Sequence, residues 1–189
     1  MVMKNSHIHW HFNHEPCNLY QVFFFSCFFI NFVSECKITK MFRLNLPQYQ
    51  IKLGGTKDKP TIFDILRRRY VALTPEEWVR QHFIHYLIEH KNYPMSLLAN
   101  EVSLKIADKA LRVDSILYDL TLKPRMIIEY KAPQIPITQK VFDQISTYNF
   151  LLHVDYLIVS NGIESYCCKM NYEHKNYIYM DSIPNYQDL

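Results

Sequence analysis

From Thr74 onward the apolar residues change period in a fixed order, and that order narrows the fold more than any single residue does. Thr74, Pro75 and Glu77 mark a helix start: a capping hydroxyl, a proline at the first helical position, and a glutamate three residues after the cap, as in a capping box. Val79, Phe83 and Leu87, with Ile84 and Ile88, recur at helical spacing to about His90, and Asn92-Tyr93-Pro94 ends the run. Residues 101–106 then alternate Val102, Leu104 and Ile106 against Glu101, Ser103 and Lys105. Residues 112–118 alternate Val113, Ser115 and Leu117 against Asp114, Ile116 and Tyr118. Two adjacent antiparallel strands follow from this, with the apolar run 126–131 pairing as a third. A second helical stripe, Val141, Phe142, Ile145, Tyr148 and Leu152, follows a Thr138 cap. Residues 154–160 form a nearly continuous apolar run suited to a buried strand, Asn161-Gly162 signals a tight turn, and 164–170 and 177–180 read as shorter strands. Helix, three antiparallel strands, helix and buried strand together predict an α/β fold, a mixed β-sheet flanked by helices on both faces.

The segment before Thr74 is less regular. Residues 42–64 hold Pro47, Gly54, Gly55 and Pro60 among short apolar stretches and predict an arm with one or two short strands. The basic cluster Arg67-Arg68-Arg69 that follows fits a solvated turn and a phosphate-contacting patch equally well. The first 40 residues differ in composition: seven of the 12 Phe, three of the five Cys and four of the nine His fall there. Their apolar run, 19–33, is broken by Gln21, Ser26 and Asn31 and is shorter than the ~20 residues of a spanning helix, so no membrane anchor is expected. No A-x-A-like cleavage site follows the run, which argues against a secretory signal. The expectation is that Met41 is the natural start and that residues 1–40 are either upstream sequence outside the native domain or a disordered extension. No Cys or His spacing in this head matches a metal site. Cys167 and Cys168 are adjacent and unsuited to an ordinary disulfide, in keeping with a cytoplasmic protein.

Composition excludes some functions. Three glycines in 189 residues leave no Gly-rich phosphate loop, and a net charge of +3 permits a polyanionic partner without requiring one. The chemistry lies at the end of the third strand, Ile127-Ile128-Glu129-Tyr130-Lys131. Glu129 and Lys131 are two residues apart and share a face, with Tyr130 on the other. Placing such a pair at an interior strand costs several kcal/mol unless something compensates it. A hairpin of this length can bring Asp114 of the preceding strand beside Glu129. Two carboxylates suit Mg²⁺, a hard ion that takes oxygen ligands and retains water, and Lys131 could hold an attacking water or steady charge on phosphorus. A structural ion pair of Glu129 with Lys131 or Arg112 is the competing explanation.

Asp114, fourteen intervening residues, then Glu129-Tyr130-Lys131 resembles the D…(D/E)xK signature of the PD-(D/E)xK nuclease superfamily, with Val113 where a proline often precedes the Asp. Gln144-Ile-Ser-Thr-Tyr148 on the second helix is similar to the Q-x-x-x-Y element of RecB-like members. A narrower likeness covers nearly all of residues 61–189. The residues Thr74-Pro-Glu-Glu-Trp-Val-Arg80, Tyr93-Pro94, Asn100-Glu101, Arg112-x-Asp114, Ile128-Glu-Tyr-Lys-Ala-Pro133, Asp143-Gln144 and Val159-Ser-Asn-Gly162 resemble the N-terminal nuclease domain of type I restriction enzyme R subunits.

That resemblance implies a restriction-endonuclease-like fold over residues 41–189 and a Mg²⁺-dependent DNA endonuclease, with Mn²⁺ as a substitute ion. It implies Asp114 and Glu129 as metal ligands, Lys131 as the catalytic lysine, and Gln144 and Tyr148 as residues that orient the site or touch DNA. Glu77 would be an additional ligand, unless the capping box accounts for it. Arg80 and Arg112 would contact DNA phosphates or pair with the acidic cluster. R subunits continue into a helicase motor, whereas these 189 residues hold no Walker motif, so ATP-driven translocation is not expected of them. A restriction or repair subunit is the implied partner besides DNA. The other reading of the same fold is a catalytically silent DNA- or protein-binding module.

Overall fold

A computed structural model describes residues 43–106 and 109–189, so the expectation for residues 1–40 lies outside the described residues. Residues 42–64 form two short strands, as expected, β1 (Leu53–Gly55) and β2 (Pro60–Asp64), and a further strand after the basic cluster, β3 (Arg69–Ala72), joins them in a small antiparallel sheet. The extra strand forms because Tyr70 and Val71 pair with Phe63 and Ile62 across a turn that holds the basic cluster. Gly55 is the constrained glycine of β1: its φ is +80°, and a Cβ there would stand 2.3 Å from the Lys59 carbonyl oxygen.

Helix α1 spans Pro75–His90, and the chain then enters a six-stranded sheet. Its strands are β4 (Leu98–Ile106), β5 (Lys109–Tyr118), β6 (Pro124–Tyr130), β7 (Tyr156–Ser160), β8 (Ser165–Asn171) and β9 (Asn176–Met180), side by side in that order. All neighbours are antiparallel except β6 and β7, which run parallel because helix α2 (Gln139–Leu152) carries the chain back between them. Central position makes β6 and β7 apolar: Met126, Ile127, Ile128, Leu157, Ile158 and Val159 are buried.

Each face of this sheet carries one helix, as expected. Val79, Phe83 and Leu87 of α1 pack with Leu117, Met126, Ile128, Tyr130 and Ile158 on one face. Val141, Phe142 and Ile145 of α2 pack with Val113, Ile116, Ile127, Leu157 and Val159 on the other. The expected alternation of β5 is corrected here. Val113 belongs to the α2 face and Leu117 to the α1 face, although they are four residues apart on one strand. The mismatch has a local cause. In β4, Asn100 pairs with Ser115 and Val102 with Val113, leaving Glu101 opposite Asp114. Glu101 adopts a left-handed backbone, φ 55°. This left-handed residue breaks the pleat of β4, and β5 changes face at the same level while the register is kept. Asn100 and Ser115 thus face α1, and Val102 and Val113 face α2.

Candidate active site

The reversal sits where β5 and β6 part. Their ladder runs from Tyr118 to Ser115, which pairs with Ile128, and beyond it the side chain of Asp114 replaces a strand partner: its Oδ2 accepts the Tyr130 backbone N–H at 2.9 Å. A short carboxylate at a sheet opening is therefore held by main chain on one side. On the other side its Oδ1 accepts Arg80 Nη2 at 2.8 Å.

Glu129 and Lys131 meet as their spacing predicts. Lys131 Nζ donates to Glu129 Oε1 at 2.9 Å, and Tyr130 turns to the opposite face, its ring 5.8 Å from that of Phe83. Glu129 is only 6% exposed. Burial pushes its carboxyl above the usual range, the Asp114 charge adds to that, and the Lys131 and Arg80 charges offset it only in part. Asp114 and Glu129 thus stand as neighbouring carboxylates, each with a cation of its own, Arg80 and Lys131.

Arg80 is the counterion of this region. It projects from α1 and is 4% exposed, with Nη1 against Glu77 Oε2 at 2.5 Å and Glu101 Oε1 at 2.6 Å, and Nη2 on Asp114. Its guanidinium carbon lies 5.5 Å from the Tyr130 ring centre. Of the two roles open to Arg80, the ion pairs are what the fold forms. Arg112 pairs with Glu101 through Nη2 and Oε2, yet its side chain is 69% exposed and remains reachable by a phosphate.

Glu77 splits the capping box. Thr74 Oγ1 accepts the Glu77 N–H at 3.1 Å, which is the expected half. The Glu77 carboxylate does not return to the cap; it accepts Arg67, Arg80 and Gln81 instead, because two guanidinium groups outbid one amide N–H. Behind it lies a buried polar chain that sequence reading did not find. Ser115 Oγ donates to Asn100 Oδ1 at 2.6 Å, Asn100 Nδ2 to Asp64 Oδ2 at 3.0 Å, and Arg67 Nε to the same Asp64 oxygen at 2.5 Å. Burial would raise the Asp64 carboxyl, but hydrogen bonds from Arg67 and Asn100 outweigh it and hold it low. The only signal in the sequence was a lone Asp ending an apolar strand beside the arginine cluster.

Gln144 and Tyr148 lie one helical turn apart on α2, and their side chains are outside the described residues. Among the described residues no three His, Cys, Asp or Glu side chains converge as a ready-made metal site. The carboxylates at the end of the β5–β6 ladder are Asp114, bonded to Arg80 and the Tyr130 N–H, and Glu129, bonded to Lys131, with Glu77 turned toward its arginines. Two carboxylates are what Mg²⁺ commonly takes from protein, the remaining positions going to water and phosphate oxygens, so these residues fit the ion.

The fold and the site define an α/β domain with an acidic pair and a lysine at the open end of a mixed sheet. The family model described as the type I restriction enzyme R protein N terminus matches residues 75–184, and the chain belongs to that family. No curated protein matches it. Among the described residues no helix is long and apolar enough to cross a membrane.

Proposed function

We propose that the chain is a Mg²⁺-dependent DNA nuclease domain of the PD-(D/E)xK type, with Asp114, Glu129 and Lys131 at its centre. The observation that carries this reading is the grouping of a buried glutamate, an aspartate and a lysine where the β5–β6 ladder ends. Mg²⁺, or Mn²⁺ in its place, would be held by Asp114 and Glu129 and would supply charge neutralisation at the scissile phosphate. Tyr130 N–H and Arg80 fix the Asp114 carboxylate, so its orientation is set before any ligand arrives. Lys131, anchored by Glu129, offers the remaining donors of its ammonium to an attacking water or to a phosphate oxygen. Gln144 and Tyr148 orient the substrate strand from α2. A restriction or repair subunit would direct the domain to its targets in the cell cytoplasm.

The test is nicking of supercoiled plasmid by the full chain with Mg²⁺ or Mn²⁺. Asp114→Asn and Lys131→Ala are each expected to lower the rate by ~10²-fold or more. If the parent chain and both variants were equally inert while all bound DNA, the fold would be a silent binding module and the nuclease reading would fall.

A further inference from the structure

Positive charge is not spread over this molecule. Residues 52–70 carry six cations against two anions, whereas the other 170 residues carry 15 cations and 16 anions. That stretch is the small sheet β1–β3, which precedes the family-matched residues 75–184. One of its anions, Asp64, is buried and one of its cations, Arg67, is spent on Asp64 and Glu77. Lys52, Lys59, Arg68 and Arg69 are exposed, and among the described residues none of them enters an ion pair. Asp58 is the exposed anion among them.

The placement of these cations suits a duplex. Lys59 stands at the turn before β2, and Arg68 and Arg69 stand at the turn after it, Arg69 paired with Asp64 across the ladder. Five strand residues separate the two ends by ~17 Å. Cations that far apart can straddle a groove ~12 Å wide and meet phosphates on both of its sides, which a single strand does not offer. Between the ends the outer face is filled by Phe63 and Tyr70, 5.3 Å apart, with Lys52 Nζ 5.6 Å from the Phe63 ring centre. The sheet is also fixed to the site. Asp64 bonds Asn100 of β4, the neighbour of Glu101, and Arg67 bonds Glu77, which shares Arg80 with Asp114.

We infer that β1–β3 is a docking surface for the phosphate backbone of double-stranded DNA, with Lys52, Lys59, Arg68 and Arg69 as its contacts. The choice of DNA as the polyanion rests on the nuclease reading; the location of the surface does not.

The experiment measures binding of a labelled duplex to the full chain by fluorescence anisotropy in EDTA, across a salt series. The quadruple variant Lys52→Gln, Lys59→Gln, Arg68→Gln, Arg69→Gln is expected to bind at least about tenfold more weakly and to flatten the salt slope by about 3 to 4, the loss of four phosphate contacts. Lys169→Gln with Lys175→Gln, on strands and turns at the far edge, is expected to change neither. Circular dichroism and thermal unfolding of both variants check that the fold is intact, and single substitutions provide smaller graded steps if the quadruple variant misfolds. Unchanged affinity and slope in a folded variant would overturn the inference, as would a parent chain that binds phosphatidylserine vesicles but no duplex. A chain that binds duplex through these residues yet never nicks plasmid would sink the nuclease reading and leave this surface standing.

Discussion

Glu129 carries a negative charge that its surroundings do not favour: burial and Asp114 both raise its carboxyl, and Lys131 and Arg80 offset only part of that. A carboxyl held above its ordinary value in the fold contributes most to stability below the unfolded value, about 4.3, and loses that contribution as pH rises through the folded value. Glu129→Gln lacks this pH-dependent loss. In EDTA its stability relative to the parent chain is therefore expected to rise between about pH 4 and pH 7, as read from urea midpoints. Added Mg²⁺ should then raise the midpoint of the parent and not that of the variant, because an ion that binds only the native state stabilises it. A relative stability that is flat with pH would mean that Glu129 is not held in this unfavourable state. The residue was legible in the sequence because an ionisable group at the end of an apolar strand stands out whatever surrounds it. Glu101 was not, since on a strand with alternating polar positions a glutamate looks like any solvated residue.

At the scale of elements, most of what the periodicity predicts is present, and the departures are local. The two long helices and the strands from β4 to β9 follow the hydrophobic period, which depends only on neighbouring residues. The exchange of faces in β4 and β5 did not show because Ile116 and Tyr118 are as apolar as Val113 and Leu117, so either alternation satisfies the pattern. The structure resolves it through Glu101 at φ 55°, a conformation that costs a residue with a Cβ. Glu101→Gly and Glu101→Ala both delete the carboxylate, but glycine adopts this backbone freely. The glycine variant is expected to be more stable than the alanine variant by about 1 kcal/mol in urea unfolding. Equal stability, or alanine ahead, would argue that no left-handed residue is required at this position.

Over the whole molecule, three layers meet at one set of charges. The small sheet supplies Asp64 and Arg67, α1 supplies Glu77 and Arg80, and the large sheet supplies Asn100, Glu101 and Asp114. Arg80 touches three of those carboxylates, so Arg80→Met would leave buried negative charges without their partner. A loss of about 3–5 kcal/mol is expected, measured by urea unfolding at neutral pH. Arg112→Met removes an exposed partner and is expected to cost no more than about 1 kcal/mol. Similar costs for the two would mean that the network is not what ties the layers together. The sequence alone determined the order of helices and strands and the α/β class, and it singled out Asp114, Glu129 and Lys131 as candidates, because period and an out-of-place charge are properties of a few neighbouring residues. Only the tertiary structure decided that Arg80 is enclosed while Arg112 stays in solvent, that Asp64 and Glu101 join the site, and that the basic arm becomes a sheet attached to it. Those outcomes depend on which distant segments exclude water from a given side chain, and the cost of burying a charge is set by those segments rather than by its neighbours along the chain.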